Sequence, residues 1–441
     1  MTVKVCDALC GAGKTQGCIH MMNNDTEHKY IFITPYLDEV ERIKKDCANR
    51  HFVSPERNFK NKYSKLEDLH SLLREGMNIA STHALFAMST EETKELIRSK
   101  DYILVLDEVM DLFQPSEIDG GDINLLVRNN IAQKEGDDIV WKDDEYTGSA
   151  FSELRLMSES KNLVDYDGRF FFWTVPIEIF KCFKGAYVLT YLFEHQLMRH
   201  YFDVNDIEYE LIGTRKIGNH HEFCELKDMD RKRELRDKIH IVNSEKYNQI
   251  GNESFSLSSG WFERASKEPG KPKLEKLKNN LYNIFRHSKT DNDDKMWTTL
   301  NDYRNELRGK GYSSGFITFN KRATNDFANR HQLAYCLNVF MMPWMKNYLA
   351  RIGAAEVNQD MYALSVLIQW IFRSAVRKGE EVWLYVPSKR MRYLLIEWLD
   401  NLAKGEDLKA IKFNAKKQNG TKAAAFNFKI ANTTKRRNIK Q

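Results

Sequence analysis

The chain of 441 residues is poor in proline and glycine, with 8 Pro and 22 Gly. It also lacks an apolar run of the ~20 residues that a membrane-spanning helix needs, because its most apolar stretch, 361–372, is short and contains Gln369. The seven cysteines form no Cys-x-x-Cys pair and follow no regular spacing. These absences argue against a disordered or fibrous chain, a membrane span and a disulfide scaffold. They predict a soluble protein of the cytoplasm.

The net charge of the chain is small, but its basic residues are unevenly distributed. The chain has 67 Lys and Arg against 62 Asp and Glu, a net charge of +5. Residues 404–441 hold eleven basic and two acidic side chains, so the rest of the chain is weakly acidic. Lys and Arg can follow phosphates while Phe413, Phe426 and Phe428 stack on bases. This basic tail is therefore a candidate nucleic-acid contact, and simple solvating charge is the alternative.

Short apolar runs alternate with amphipathic helical patterns over the first two hundred residues. Strands are expected at 3–8, 30–34, 77–82, 102–106 and 186–190. Alternating strands and helices predict an α/β fold with parallel sheets flanked by helices. Further strands are expected at 238–242, 316–319 and 382–386, and helices at 323–349 and 361–376.

The length predicts two or three packed units, and the pattern of elements and charges along the chain divides it into two domains and a tail. The first domain is expected at 1–203, with a polar surface insertion at about 114–170. The second is expected at 204–403, with an irregular insertion at about 245–310, and is followed by the tail 404–441.

A glycine-rich loop follows the first predicted strand. Its sequence from Ala8 is Ala-Leu-Cys-Gly-Ala-Gly-Lys-Thr. Glycines let successive backbone N–H groups point into one concavity, and the following helix adds the positive end of its dipole. This arrangement predicts binding of ATP phosphates by Gly11, Ala12, Gly13, Lys14 and Thr15, with the Thr15 hydroxyl as a ligand of Mg²⁺.

Two acids end the strand at 102–106. Asp107 would hold Mg²⁺, and Glu108 would orient or deprotonate the attacking water. The alternative is an ordinary helix N-terminus, where acids are favoured by the dipole. Together with the loop, the pair predicts ATP binding and hydrolysis.

The sequence also contains one possible metal cluster, with weaker support than the nucleotide motifs. His220 and His221 lie close to Cys224, but no second group with ligand spacing follows. Ordinary surface or core residues are the better interpretation there.

These motifs resemble those of superfamily 2 helicases, the DEAD/DEAH-like class with two tandem RecA-like domains. Asp107-Glu-Val-Met is similar to the family's second motif. Thr34-Pro35 and Thr82-His83 resemble motifs that contact the nucleic-acid strand, and Thr190 stands where the family couples hydrolysis to strand movement. From the residues alone, Pro35 could simply end a strand and Thr82 could cap a helix.

The second half resembles the same family less closely. Gln369 and Arg373 match its Gln-x-x-Gly-Arg-x-x-Arg motif, but Phe372 replaces the glycine and Arg377 comes one position late. On a helix the two arginines would share one face. The resemblance then implies that Gln369 contacts nucleotide and that the arginines are catalytic, whereas a solvated helix face is the alternative. The segment 316–325 loosely resembles the preceding motif.

The resemblance is to compact helicase-like proteins of bacteriophages in particular, which would place the chain in a host cytoplasm. It implies an ATP- and Mg²⁺-dependent helicase or translocase on single-stranded nucleic acid. No glutamine motif precedes the loop, which argues against the DEAD-box RNA subgroup and favours DNA over RNA. Two alternatives stay open, a P-loop phosphotransferase and an ATP-gated binding module without strand separation.

Overall fold

The structure, a computed structural model, describes residues 2–57, 64–110, 112–116, 120–143, 145, 151–159, 163–167, 170–175, 177–320 and 326–415. The chain forms two compact units. The first comprises residues 1–231 and 342–357, and the second comprises 232–341 and the chain from 358 onward. Each unit is built on its own parallel sheet.

The first unit begins with the predicted alternation of strands and helices. In chain order its first elements are β1 Val3–Asp7, α1 Lys14–Asn24, β2 Lys29–Thr34, α2 Leu37–Asp46, α3 Lys65–Glu75, β3 Ile79–Thr82, α4 His83–Ala87, α5 Glu91–Arg98 and β4 Tyr102–Asp107. Apolar residues fill the strands because both faces of a parallel sheet are covered. Local signals set the ends of α3, with a capping box between Ser64 and Glu67 and left-handed Gly76 at its C-terminus.

The predicted insertion is a small folded module. Its elements are β5 Phe113–Pro115, α6 Gly120–Arg128, β6 Ala132–Glu135, β7 Asp138–Trp141, α7 Ser152–Glu159, β8 Leu163–Tyr166 and β9 Phe170–Thr174. The strands form an antiparallel sheet in the order β5-β9-β8-β7-β6, with a separate core that includes Leu126, Trp141 and Leu163. The sequence predicted a polar insertion at about 114–170, and the structure adds that this segment has a sheet and a core of its own. Alternation along an antiparallel strand leaves many polar side chains on the open face, which explains its polar sequence.

The main sheet of the first unit resumes after the insertion. Its remaining elements are β10 Gly185–Thr190, α8 Leu197–Val204, β11 Tyr209–Ile217 and β12 His220–Glu225. The strand order is β12-β11-β1-β10-β4-β2-β3, and only β12 is antiparallel to its neighbour. Because β11 pairs with β1 from Val3↔Tyr209 onward, the first unit reaches residue 231 rather than the expected 203.

The second half of the chain contributes the remaining elements. They are α9 Leu235–Lys238, β13 Ile239–Ile241, α10 Glu245–Asn248, α11 Ser259–Lys267, α12 Pro272–His287, β14 Lys295–Thr298, α13 Arg304–Leu307, β15 Gln332–Tyr335, α14 Pro343–Arg351, α15 Gln359–Ile371, β16 Val382–Tyr385 and α16 Lys389–Lys404. The second unit's sheet is parallel, in the order β13-β16-β15-β14. Helix α14 belongs to the first unit, where Tyr348 packs edge-on against Phe172 of β9.

Predictions for this half were mixed. Strands β13 and β16 lie where they were expected, whereas Phe316 forms only an isolated bridge to Trp297 in place of the strand at 316–319. The helix expected at 323–349 was wrong for most of its described length, since β15 is a strand within that range and helix α14 begins only at Pro343. The irregular insertion at 245–310 contains α10 to α13 and β14, with a core around Phe262, Leu277 and Trp297.

The predicted fold class is confirmed, with parallel sheets flanked by helices in both units. The start of the expected tail is packed rather than free. The backbone N–H of Phe413 donates to Asp360 Oδ2 at 2.7 Å, and its ring meets Tyr393 at 5.6 Å. The rest of the tail, from 416 to 441 and including Phe426 and Phe428, lies outside the described residues.

A buried arginine ties together several segments of the second unit. Arg390 is 4% exposed. It donates to Asp360 Oδ1 at 2.7 Å and Asn338 Oδ1 at 2.9 Å, and its guanidinium lies 4.3 Å from the centre of the Phe340 ring. Removing one partner of a buried pair leaves the other charge uncompensated.

We predict that Arg390→Ala destabilises the second unit by about 3–5 kcal/mol, because Asp360 and Asn338 lose their charged partner. Urea unfolding of the full chain measures this. Arg308→Ala, an exposed site in the same unit, is the control and should change stability by less than about 0.5 kcal/mol. Equal effects of the two substitutions would contradict the structural role of Arg390.

Candidate nucleotide site

The predicted site residues of the first unit lie at one edge of its main sheet. In register, Asp7 of β1 pairs with Thr190 of β10, and Leu189 pairs with Asp107 of β4. Thr34 and Thr82 pair at the ends of β2 and β3. Because the carboxyl ends of parallel strands meet at the same edge, residues separated by nearly two hundred positions are brought together there.

The loop between β1 and α1 curls around the side chain of Lys14. Lys14 Nζ donates to the carbonyl oxygens of Ala8 at 2.7 Å and Leu9 at 3.2 Å, and the side chain is buried. Gly11 and Gly13 have φ values of 72° and 88°, in the left-handed region that favours glycine. The loop therefore has the backbone shape of an anion nest with an ammonium group at its base.

Thr15 and Asp107 form the metal side of this site. Thr15 Oγ1 donates to Asp107 Oδ1 at 3.3 Å, although the two residues come from different strand–helix units. The pKa of Asp107 is raised to about 7, chiefly by burial and also by the neighbouring charges of Glu108 and Glu39, while the Lys14 charge and the Thr15 hydrogen bond act in the opposite direction. Hydroxyl and carboxylate oxygens are ligands that Mg²⁺ prefers, and a cation would stabilise this buried carboxylate. The residues therefore fit Mg²⁺.

Glu108 lies at a sharp backbone turn directly after Asp107. Its φ is 64°, a conformation that is uncommon for a residue with a side chain, and its N–H donates to the carbonyl of Leu189 at 3.1 Å. Such strain costs about 1–3 kcal/mol and is concentrated at functional sites. The turn takes the chain out of the strand between the two acids, so that only Asp107 is fully buried.

Sequence reasoning missed two polar residues that support this edge. Both carboxylate oxygens of buried Asp7 accept hydrogen bonds from the chain after β10, from Leu192 N at 2.6 Å and Phe193 N at 3.0 Å. Gln196 accepts a hydrogen bond from Thr190 Oγ1 at 3.0 Å and donates to the Tyr191 carbonyl. An acid at the end of an apolar strand was a visible signal for Asp7, whereas Gln196 carries no local one.

The residues predicted to contact nucleic acid lie at the same edge of the sheet, at the ends of β2 and β3. Thr34 is fully buried, and its hydroxyl has no hydrogen-bond partner among the described residues. Thr82 precedes α4 as its N-cap residue, but its side chain makes no capping hydrogen bond, and α4 starts at His83. Pro35 follows Thr34 and is half-buried. With strands about 4.8 Å apart, Thr34 is one strand and Thr82 two strands away from Asp107.

The predicted residues of the second unit lie around the end of α15. Gln369 is in this helix, but the helix stops at Ile371, so Arg373 and Arg377 do not share one helical face as expected. Ser374 is the reason, because its extended backbone and its hydroxyl, which accepts from Val376 N, start a separate 3₁₀ turn over 375–378.

The two arginines differ in their surroundings. Arg373 is 5% exposed, and its guanidinium donates to the carbonyls of Phe319 at 3.2 Å and Thr318 at 3.4 Å. It thus connects the two loosely matched motifs of this half, although 321–325 lie outside the described residues. Arg377 is half-buried in the 3₁₀ turn.

Neither metal clusters nor membrane helices are found in the described part of the chain. No group of three His, Cys, Asp or Glu side chains there could hold a metal. None of the described helices is both long and apolar enough to span a membrane.

Comparison with known proteins identifies the family. The chain is 40% identical over 413 residues to the SPbeta prophage-derived uncharacterized protein YonV of Bacillus subtilis (strain 168), which covers 90% of this chain and 99% of that protein. The chain belongs to the YonV family. Residues 114–173 match the YonV middle domain and 233–399 match the YonV C-terminal Rossmann-like domain. These ranges agree with the inserted sheet and with the second unit, and the relative's prophage origin agrees with the predicted phage resemblance.

Two solved structures are similar at low identity. Xpd4 of S. tokodaii gives a TM-score of 0.43 at 12% identity, covering 90% of this chain and 94% of that one. Mss116p, in a structure with ssRNA and AMP-PNP, gives 0.32 at 14% identity, covering 87% of this chain and 65% of that one. Both TM-scores are below 0.5.

Two glycines at the start of α1 provide a matched test of the loop. Gly13→Ala should abolish nucleotide binding, because Gly13 has a φ of 88° and a Cβ there would lie 2.1 Å from the ring of His221. Gly17→Ala should leave binding intact and stabilise the helix by up to about 1 kcal/mol, since its Cβ would meet nothing closer than 3.5 Å. Titration with ADP and thermal unfolding measure both effects. Normal ADP binding by Gly13→Ala would contradict the loop geometry.

Proposed function

We propose that this protein is an ATP-dependent nucleic-acid helicase or translocase. The observation that carries the proposal is the pairing of Thr15 with Asp107 beside a loop whose carbonyls hold Lys14. A hydroxyl and a carboxylate for Mg²⁺, an ammonium and a backbone nest for phosphates are the parts that phosphoryl transfer requires.

The chemistry assigned to each residue follows from its position. Backbone N–H groups of Gly11, Ala12 and Gly13 would bind the phosphates, and Lys14 would exchange its carbonyl partners for phosphate oxygens. Mg²⁺, held by Thr15 and Asp107, would supply charge neutralisation on the β- and γ-phosphates. Glu108, which directly follows the strand that ends at Asp107, would accept the proton of the attacking water.

Single-stranded nucleic acid is the proposed partner. Thr34, Pro35, Thr82 and His83 lie at the edge that also holds Asp107, so a strand bound there would be close enough to sense the nucleotide. Such contacts go to the backbone and carry little sequence information. The basic residues of 416–441 would add affinity that depends on salt.

One assay series separates the proposal from its alternatives. ATP turnover is measured alone, with single-stranded DNA and with single-stranded RNA, and strand displacement is then measured on a tailed duplex. A helicase shows stimulated turnover and displacement. An ATP-gated binding module shows nucleotide-dependent nucleic-acid binding without displacement, and a phosphotransferase shows turnover that nucleic acid does not change.

Lys14→Ala should abolish ATP turnover, because the nest loses the ammonium group that would bind phosphate, whereas Glu108→Gln should still bind Mg²⁺·ATP and fail to hydrolyse it. Both variants should remain folded, which thermal unfolding checks. Glu95→Gln, an exposed acid on α5, is the control and should keep full turnover. Wild-type turnover in Lys14→Ala would refute the nucleotide site.

The arginines of the second unit generate a further prediction. A guanidinium that stabilises the transferring phosphoryl group contributes about 10³–10⁵ in rate. We expect Arg377→Ala to lower nucleic-acid-stimulated kcat by orders of magnitude with ATP affinity changed only a few fold. Arg373→Lys should rescue poorly, because an ammonium lacks the planar fork.

The control is Lys378→Ala, an exposed neighbour in the same 3₁₀ turn. Arg373 is buried against two carbonyls, so its substitutions need a parallel measurement of thermal unfolding. Near-wild-type kcat in both arginine variants would leave these residues a structural role and would favour the ATP-gated binding module.

A further inference from the structure

A hairpin packs against the phosphate-binding loop. Strand β12 runs along helix α1, and the ring of His221 lies on the Cα of Gly13, where an added Cβ would be 2.1 Å from Cδ2 and 2.5 Å from Nε2. The backbone of the same histidine faces Gly17, one turn further along the helix. The absence of side chains at these two positions therefore lets β12 lie directly on the start of α1.

The hairpin is held firmly on both sides. Arg215 of β11 pairs with Glu222 across the strands at 2.8 Å, and Thr214 Oγ1 donates to the Glu222 carbonyl at 3.2 Å. The ring of Phe223 stacks on Tyr187 of β10 at 5.6 Å. His221 is flanked by these fixed residues, so its imidazole is positioned by the sheet rather than by a loose loop.

The ring of His221 lies beside the nest that would bind phosphates. Gly13 directly precedes Lys14 and is the N-cap residue of α1, so the imidazole Nε2 lies within one residue of the N–H groups that would receive phosphates. An imidazole can donate a hydrogen bond to a phosphate oxygen, and a bond to a charged acceptor is stronger than a neutral one.

We propose that His221 is a phosphate-positioning residue of the nucleotide site, contributing its imidazole N–H to the phosphates of the bound nucleotide. This inference rests on the proposed ATP site. It assigns a role to His221, which the sequence analysis considered only as part of a possible metal cluster. The neighbouring His220 is excluded from that role, since it is exposed and stacks on His20, with ring centres 4.1 Å apart.

The test compares His221→Ala, His221→Phe and His221→Gln in the full chain. Equilibrium binding is measured for Mg²⁺·ADP and for inorganic triphosphate, followed by KM and kcat for ATP. We expect Ala and Phe to weaken both ligands by about tenfold or more, the value of one hydrogen bond to a charged group, and Gln to restore part of the loss. KM should rise while kcat changes little. His220→Ala, the adjacent residue on the hairpin, is the control and should bind both ligands as the wild type does.

The outcomes are separable. Wild-type affinity in His221→Phe would mean that the ring only packs on Gly13, and a loss for ADP without a loss for triphosphate would move the contact to the nucleoside. Tighter binding in His221→Ala would mean that the ring obstructs the site. Each of these results overturns the inference. Failure of the unsubstituted protein to bind either ligand would instead contradict the proposed function.

Discussion

The end of strand β10 is the constraint on which the candidate site depends. This strand lies between β1, which leads into the phosphate-binding loop, and β4, which carries Asp107. The Thr190 carbonyl accepts from Ala8 N at 3.1 Å, and the Leu189 carbonyl accepts from Glu108 N at 3.1 Å. Two adjacent peptide groups therefore fix the starts of both turns that would surround a nucleotide, and a shift of β10 would move both together.

These hydrogen bonds connect the proposed nucleotide site to the segment that follows β10 in the first unit. Thr190 is tied to Gln196, and Asp7 caps the backbone at Leu192 and Phe193, so the segment after β10 is held from two sides. Any rearrangement of the loop at Ala8 must strain these bonds or carry the segment with it. The coupling role proposed for Thr190 would act through these hydrogen bonds.

Electrostatics at the edge are unfavourable without a cation. Asp107 is buried, close to Glu108 and Glu39, and its pKa is raised to about 7. Lys14, the nearest compensating charge, is bonded to the loop carbonyls. Because its pKa is raised, the Asp107 carboxyl group favours the folded protein when it is protonated. This contribution to stability is present at low pH and is lost as pH rises through about 7. A divalent cation would reverse that cost, which is the physical sense of placing such an acid beside Thr15.

The sequence was most informative where a short segment determines both structure and chemistry. The strands of the first sheet and the loop at Gly11 to Thr15 could be predicted because buried parallel strands are apolar runs and glycine permits positive φ. Asp7 and Gln196 could not be assigned roles, because their partners are brought together by strand order and not by spacing. The helix expected at 323–349 failed for a related reason, since β15 is a strand only because β14 and β16 pair with it on both sides.

The arginines show how a small local signal can outweigh a family pattern. Spacing of four residues suggested one helical face, but Ser374 offers its hydroxyl to Val376 N and breaks the helix between Arg373 and Arg377. The consequence is chemical as well as geometric. The Arg373 guanidinium donates hydrogen bonds to the carbonyls of Thr318 and Phe319. Arg377 lies in a 3₁₀ turn that is capped by Gly379 in the left-handed conformation. A guanidinium that must reach a phosphate has to give up its existing partners, so Arg373 would have to release the carbonyls of Thr318 and Phe319 before it could take that role.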